Sequence, residues 1–181
     1  MEGRLLLING SPGTGKSTLA AELSRRLRLP LLAKDTVKEA LAGALWTDDR
    51  ESSNRLGGAT FPVLYAIARV QVELGLAAVL EAPFHWRWAG PELGTLVARS
   101  AMILCEADAT TSLARYRERA GARHPVHLDA ERLAENSVPA VVEPPPGTLP
   151  LLRVRTDDGY DPGLDRVLDW CRTQLDLPTT P

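Results

Sequence analysis

Residues Gly10 to Thr18 read Gly-Ser-Pro-Gly-Thr-Gly-Lys-Ser-Thr and match the spacing GxxxxGK[ST] in full. Glycines at these positions let the backbone wrap a phosphate with its amide hydrogens pointing inward, and a helix starting at the loop's end adds partial positive charge. Lys16 is placed to reach β- and γ-phosphate oxygens, and Ser17 to offer a hydroxyl to Mg²⁺. The phosphate-binding candidates are therefore Gly10, Ser11, Pro12, Gly13, Thr14, Gly15, Lys16, Ser17 and Thr18.

Two acids extend this chemistry. Asp35 follows an apolar segment that ends at Ala33, so it projects toward the same sheet edge as the glycine-rich loop. A carboxylate there can take the proton of a hydroxyl that attacks a γ-phosphate. Its other use is to cap a helix, but Thr36 and Glu39 have the spacing of a capping box and free Asp35 for the site. Glu81 closes the run Leu76–Leu80 and is the acid expected at that strand's carboxyl end, as a Mg²⁺ or substrate ligand or as a solvent-facing strand end.

Arg115, Arg117, Arg119 and Arg123 form a third set. Arg115 and Arg119 lie four residues apart on one helix face, and an arginine fork suits a clamp on a phosphoryl group in transfer. A solvated face with Arg115 and Glu118 paired is the alternative. His124 and His127 lack the company of a third ligand, so a metal site there is weakly supported and a lid loop is favoured. Phe84, His85, Trp86 and Trp88 crowd behind Glu81 as either a substrate wall or a small satellite core.

The elements that must position these residues follow from periodicity and breakers. Arg4–Asn9 is a short apolar run suited to a strand buried on both faces. Leu19, Leu23 and Leu27 mark a helix that Pro30 stops, followed by a short strand at Leu31–Ala33 and a capping-box helix to about Leu45. Residues 46–58 read as a loop, and Phe61–Glu73 as a helix with Pro62 in its first turn. Strands at Leu76–Leu80, Ala101–Cys105 and Leu151–Val154 alternate with helices ending at Arg99 and Arg119. Five of the 14 prolines fall between Pro139 and Pro150, which marks an extended crossing. Asp161 as N-cap and Pro162 at the first helical position open a last helix with the apolar stripe Leu164, Val167, Leu168, Cys171 and Leu175. Five strands alternating with helices predict an α/β fold with a parallel sheet and right-handed crossovers.

Composition narrows the classes. The chain has 181 residues, 44% of them hydrophobic and 24% charged, which fits one globular domain and excludes fibrous or wholly disordered classes. A formal charge of −2 argues against general polyanion binding, nucleic acid included. Only three of the 21 basic residues are lysines, Lys16, Lys34 and Lys38, and all lie in the first 38 positions. Cys105 and Cys171 have no disulfide framework around them, and no run of about 18 apolar residues exists, so the expectation is a cytoplasmic protein without a membrane span.

With these residues set out, the sequence resembles a known family. Gly10 to Thr18, Lys34-Asp35, Glu81-Ala82-Pro83-Phe84, and Arg115-Tyr116 through Arg123-His124-Pro125 together resemble the small P-loop kinases of the AAA-type ATP-binding group. That group is similar to phage polynucleotide kinase, zeta toxins, chloramphenicol phosphotransferase and the gluconate and shikimate kinases. The resemblance implies a three-layer fold with a five-stranded parallel sheet of order 2-3-1-4-5 in a single domain over residues 1–177, a lid at about 115–135, and a flexible tail at 178–181. It also implies ATP·Mg²⁺-dependent phosphorylation of a hydroxyl, with Asp35 as base and Lys16, Arg119 and Arg123 as catalytic cations. Arg115, Arg155 and Thr156 would bind the nucleotide, the Arg155-Thr156-Asp157 loop cradling adenine. Ser17 and Glu81 would hold Mg²⁺, Glu81 standing where relatives keep an aspartate. Asp35, Glu81, Phe84, His85 and Trp86 would form the substrate pocket.

The leading expectation is a kinase for a small-molecule alcohol, such as a sugar, a nucleoside or an antibiotic-like compound. A kinase for nucleic-acid 5′-hydroxyls and a non-catalytic ATP-dependent switch are the alternatives.

Overall fold

The computed structural model describes residues 3–45, 49–85, 89, 91, 93, 96, 100–136 and 149–178. Five strands, β1 (Leu5–Gly10), β2 (Leu31–Ala33), β3 (Ala78–Glu81), β4 (Ser100–Glu106) and β5 (Leu151–Arg155), form one parallel sheet of order β2-β3-β1-β4-β5. This is the sheet order that the resemblance implies. The helices with described bounds are α1 (Lys16–Leu27), α2 (Lys34–Ala44), α3 (Arg50–Glu73), α4 (Ala109–Ala120), α5 (Asp129–Ala134) and α6 (Leu164–Leu175), and a 3-10 turn lies at Pro125–His127.

The central strand explains the layering. Every residue of β1 is buried, and alternate side chains enter two separate cores. Leu5 and Leu7 pack with Leu64, Tyr65, Ala68 and Val72 of α3. Leu6 and Ile8 pack with Leu19, Ala20 and Leu23 of α1 and with Val167, Leu168 and Cys171 of α6. Leu19 and Leu23 are thus the stripe read from the sequence, and Leu27 lies against the same cluster. The free thiols of Cys105 and Cys171 are buried, and burial pushes both up to about 12, so neither is a nucleophile.

Three expectations about helix starts fail, each for a local reason. Residues 50–58 belong to α3, which starts at Arg50 because the Asp49 carboxylate accepts the Ser52 amide at 2.7 Å while the Ser52 hydroxyl reaches back. Pro62 consequently sits inside that helix, not in its first turn. The buried stripe there runs Ser53, Leu56, Thr60, Leu64, Ala68, Val72, and its two polar members broke the apolar period. On α2, the chain passes from β2 directly into the helix with Ala33 at the N-cap, so the Thr36–Glu39 box does not form and Glu39 instead meets His127. On α6, Gly163 is the N-cap; Asp161 is spent on a main-chain bridge to Arg155, with bonds of 2.8 and 3.0 Å.

Several expected features, namely Trp46, Trp86, Trp88, most of the helix ending at Arg99, most of the Pro139–Pro150 crossing and the end of the tail, lie outside the described residues. Of that helix, Ala89, Leu93 and Leu96 are helical and buried in the β1–α3 core. Among the described residues, no helix is long and apolar enough to cross a membrane.

Candidate active site

The glycine-rich loop joins β1 to α1 at the carboxyl edge of the sheet. Gly13 and Gly15 take φ of +84° and +73°, a region that other residues enter only with strain. At Gly13 a side chain would also collide, since a Cβ would lie 2.1 Å from the Ser112 carbonyl oxygen on α4. The far side of the loop is tied by Thr156, whose hydroxyl donates to the Thr14 carbonyl at 3.0 Å. Among the described residues no side chain caps α1, so its first amides are open to a ligand in the loop.

Beneath the loop, Lys16 and Glu81 are 6% and 2% exposed. Their Nζ and Oε1 lie 3.7 Å apart, and the Ser17 hydroxyl donates to the same Oε1 at 3.1 Å. Burial lowers the Lys16 ammonium below its ordinary range, against the pull of Glu81 and Asp35. Burial raises Glu81, against Lys16. The buried Lys16 ammonium fits a nucleotide's phosphates, and the Ser17 hydroxyl and Glu81 carboxylate are hard-oxygen donors that fit Mg²⁺.

Asp35 lies in the first turn of α2. Its Oδ2 accepts Arg123 Nη2 at 2.5 Å, and Lys34 Nζ is 3.4 Å from its Oδ1. Burial alone would raise this carboxyl, but Lys34, Arg123, His127 and Lys16 outweigh it and hold it down to about 2. Arg123 is oriented from behind: its Nη1 donates to Asp129 Oδ2 at 2.7 Å, and the Tyr116 hydroxyl donates to Asp129 Oδ1 at 2.7 Å. Arg119 lies over the Tyr116 ring at 5.3 Å from the centroid, and its Nε is buried with no hydrogen-bond partner among the described residues. An unpaired buried donor of this kind suits an anion.

These groups line one polar cavity of about 120 Å³, together with Lys34, Lys38, His85, His127 and Arg132. All three lysines of the chain therefore face it. The segment expected as a lid comprises the end of α4, the 3-10 turn and α5. It is fastened to α2 and α3 by contacts the sequence did not reveal. Lys38 donates to the Ser53 hydroxyl at 2.9 Å and to the Val126 carbonyl at 3.1 Å, and His127 Nε2 lies 2.8 Å from Glu39 Oε1. Asn9 performs a similar task at the sheet edge, accepting the Gly10 and Phe84 amides at 2.8 and 2.9 Å.

Other candidates lie elsewhere. Phe84 is 1% exposed and belongs to the core, where its ring meets Phe61 edge-on at 6.5 Å; it forms no substrate wall. Arg115 grips Thr156 and the Asp157 carbonyl, so it shapes the loop after β5. Arg155 pairs with Asp108 and Asp157 at the surface. His124 accepts the Val126 amide through Nδ1 while His127 faces Glu39, so the two imidazoles serve different partners. Among the described residues, no group of three or more His, Cys, Asp or Glu could hold a metal.

Comparison with known proteins shows the family and the fold. The model of the family described as AAA domain matches residues 5–144. A structure of a provisionally assigned kinase from Chloroflexus aurantiacus is 30% identical, with a TM-score of 0.82 over 97% of this chain and 100% of that one. The APS kinase CysC of Mycobacterium tuberculosis, solved with AMPPNP and APS, is 17% identical with a TM-score of 0.62 over 97% and 98%. A sugar kinase from Janibacter sp. is 16% identical with a TM-score of 0.60 over 97% and 95%. No curated protein sequence matches the chain.

Proposed function

The chain belongs to the AAA domain family and is a small P-loop kinase by fold and family, and from this we propose that it transfers the γ-phosphoryl group of ATP to a hydroxyl of a small molecule. The observation that carries the reading is the single cavity lined by Lys16, Asp35, Arg119 and Arg123. Three cations there would bear on a transferring phosphoryl group, and the carboxylate would serve its acceptor.

The proposed step is a direct displacement. The acceptor oxygen forms a bond to the γ-phosphorus while the bond to the β,γ-bridging oxygen breaks, and ADP leaves with that electron pair. The acceptor's proton passes to Asp35. A carboxylate held down at about 2 by Lys34 and Arg123 is a weak base. Moving Arg123 from Asp35 to the phosphoryl oxygens would raise the carboxylate's proton affinity when the hydroxyl needs it. Lys16 and Arg119 would meet the phosphate charge, and Arg119 would gain the partner its Nε lacks. Ser17 and Glu81 would hold Mg²⁺, which would offset phosphate charge when bound.

The loop after β5, fixed by Arg115 and Thr156, would flank the nucleotide base. Sugars, nucleosides and ring-bearing alcohols are the acceptor classes to test. The direct experiment is a mass-spectrometric transfer screen of such alcohols, plus a 5′-hydroxyl oligonucleotide, with ATP and Mg²⁺ and with Lys16→Ala as control. A phosphorylated small alcohol that disappears in the variant supports the reading. Transfer to the oligonucleotide alone, or ATP binding without any transfer, contradicts it.

A further inference from the structure

Beside the polar cavity lies a second one, of about 350 Å³, that the reaction above does not use. It is walled by Phe61, Pro62 and Tyr65 of α3 and by Pro83, His85 and Ala89 beyond β3. Pro83 and His85 line both cavities, so the two meet at the end of β3. The polar cavity, at about 120 Å³, falls well short of the roughly 300–1,000 Å³ of small-molecule sites, whereas the second falls inside that range. The first has room for reacting atoms, and the second is the adjoining space with room for the body of an acceptor.

The chemistry of the walls selects that body. Among the described residues, no Asp, Glu, Lys or Arg lines the second cavity. Phe61 is flanked by two rings, Tyr65 at 6.0 Å and Phe84 at 6.5 Å, so this wall is the end of an aromatic row. A polyol or sugar acid placed there would lose hydration from more hydroxyls than the Tyr65 hydroxyl and the His85 imidazole could partner. A flat apolar ring would bury its area and find ring edges and faces to pack on.

We propose that the phosphate acceptor is a ring-bearing alcohol, its hydroxyl at Asp35 in the polar cavity and its apolar ring against Phe61, Pro62 and Tyr65. This rests on the kinase reading for its chemistry, the hydroxyl oxygen bonding to the γ-phosphorus as ADP departs and the proton passing to Asp35. The shape argument stands on the two cavities.

Gly58 supplies the test. It lines the apolar cavity from within α3, its φ is ordinary, and a Cβ there meets nothing within 4 Å. Gly58→Leu therefore fills the cavity without a clash at the backbone and improves helix propensity. Binding of 2-phenylethanol, tyrosol and thymidine, against glycerol, ribitol and gluconate, is measured by ligand-detected NMR with AMPPNP present, and transfer from ATP is measured in parallel. The melting temperature of the variant serves as the check on folding.

The expected result is binding and transfer for ring-bearing alcohols, reduced at least about tenfold in Gly58→Leu at an undiminished melting temperature. Ring-bearing alcohols that bind, lose binding in Gly58→Leu and are never phosphorylated would support the cavity assignment and overturn the kinase reading. Preferred transfer to the ring-free alcohols, insensitive to Gly58→Leu, would overturn the ring proposal and leave the kinase reading standing. Failure of every ring-bearing alcohol to bind overturns it as well.

Discussion

Arg123 and Asp35 are 88 residues apart in the chain and meet at 2.5 Å across the polar cavity. The contact joins the segment after α4 to the first turn of α2, so it closes one side of the site with a charge-assisted hydrogen bond. Asp129 and Tyr116 hold the arginine from behind. If this arginine swung to a phosphoryl group, the carboxylate would lose its partner, which would couple the position of Arg123 to the proton affinity of the proposed base.

Glu81→Gln keeps an acceptor for the Ser17 hydroxyl and removes the charge beside Lys16. The Mg²⁺ concentration for half-maximal transfer is expected to rise at least about tenfold. Nucleotide affinity without Mg²⁺ is expected to hold or improve, because a negative charge near the phosphates has gone. Titration of activity against Mg²⁺ and calorimetry in EDTA check both, and an unchanged Mg²⁺ requirement would take Glu81 out of the metal site.

Lys38 links pH to stability. Burial, with Lys34 and Arg132 nearby, draws its ammonium from an ordinary 10.5 down to about 8. Between these values the unfolded chain carries a proton that the folded protein lacks, so stability from this group rises with pH across that window and is lost as pH falls through about 8. The melting temperature of wild type minus that of Lys38→Met is expected to increase from pH 8 to pH 10. A flat difference in scanning calorimetry would show that the folded Lys38 titrates as an exposed lysine does.

Gly13→Ala places a Cβ 2.1 Å from the Ser112 carbonyl at a φ of +84°. The conformation alone costs roughly 1–3 kcal/mol, and the collision pushes the loop from α4. A drop in melting temperature of roughly 2–4 °C for each kcal/mol is expected, with nucleotide affinity down at least about tenfold. Thermal unfolding and a fluorescent ATP analogue measure the two effects.

Much of the site was legible because its parts announce themselves locally. The glycine-rich loop is contiguous, Asp35 and Glu81 each sit at a strand's carboxyl end, and the five apolar runs imply the parallel sheet. What sequence reading missed is held by polar contacts between distant segments, which have no period. Asn9 meets Phe84 across 75 positions, and Lys38 meets Val126 across 88. The start of α3 was hidden for a related reason, since Ser53 and Thr60 stand where its stripe would be apolar; their hydroxyls are satisfied by the Val126 and Leu56 carbonyls. Phe84 was misplaced because an aromatic residue beside a strand-end acid reads alike in a pocket wall and in a core.

The most direct measurement compares wild type with Asp35→Asn, following transfer to an acceptor found in the screen and binding of a fluorescent ATP analogue. Asparagine keeps the shape and removes the proton acceptor, so transfer is expected to fall about 10²- to 10⁴-fold while nucleotide affinity changes less than about threefold. Transfer at the wild-type rate in the variant would contradict Asp35 as the base.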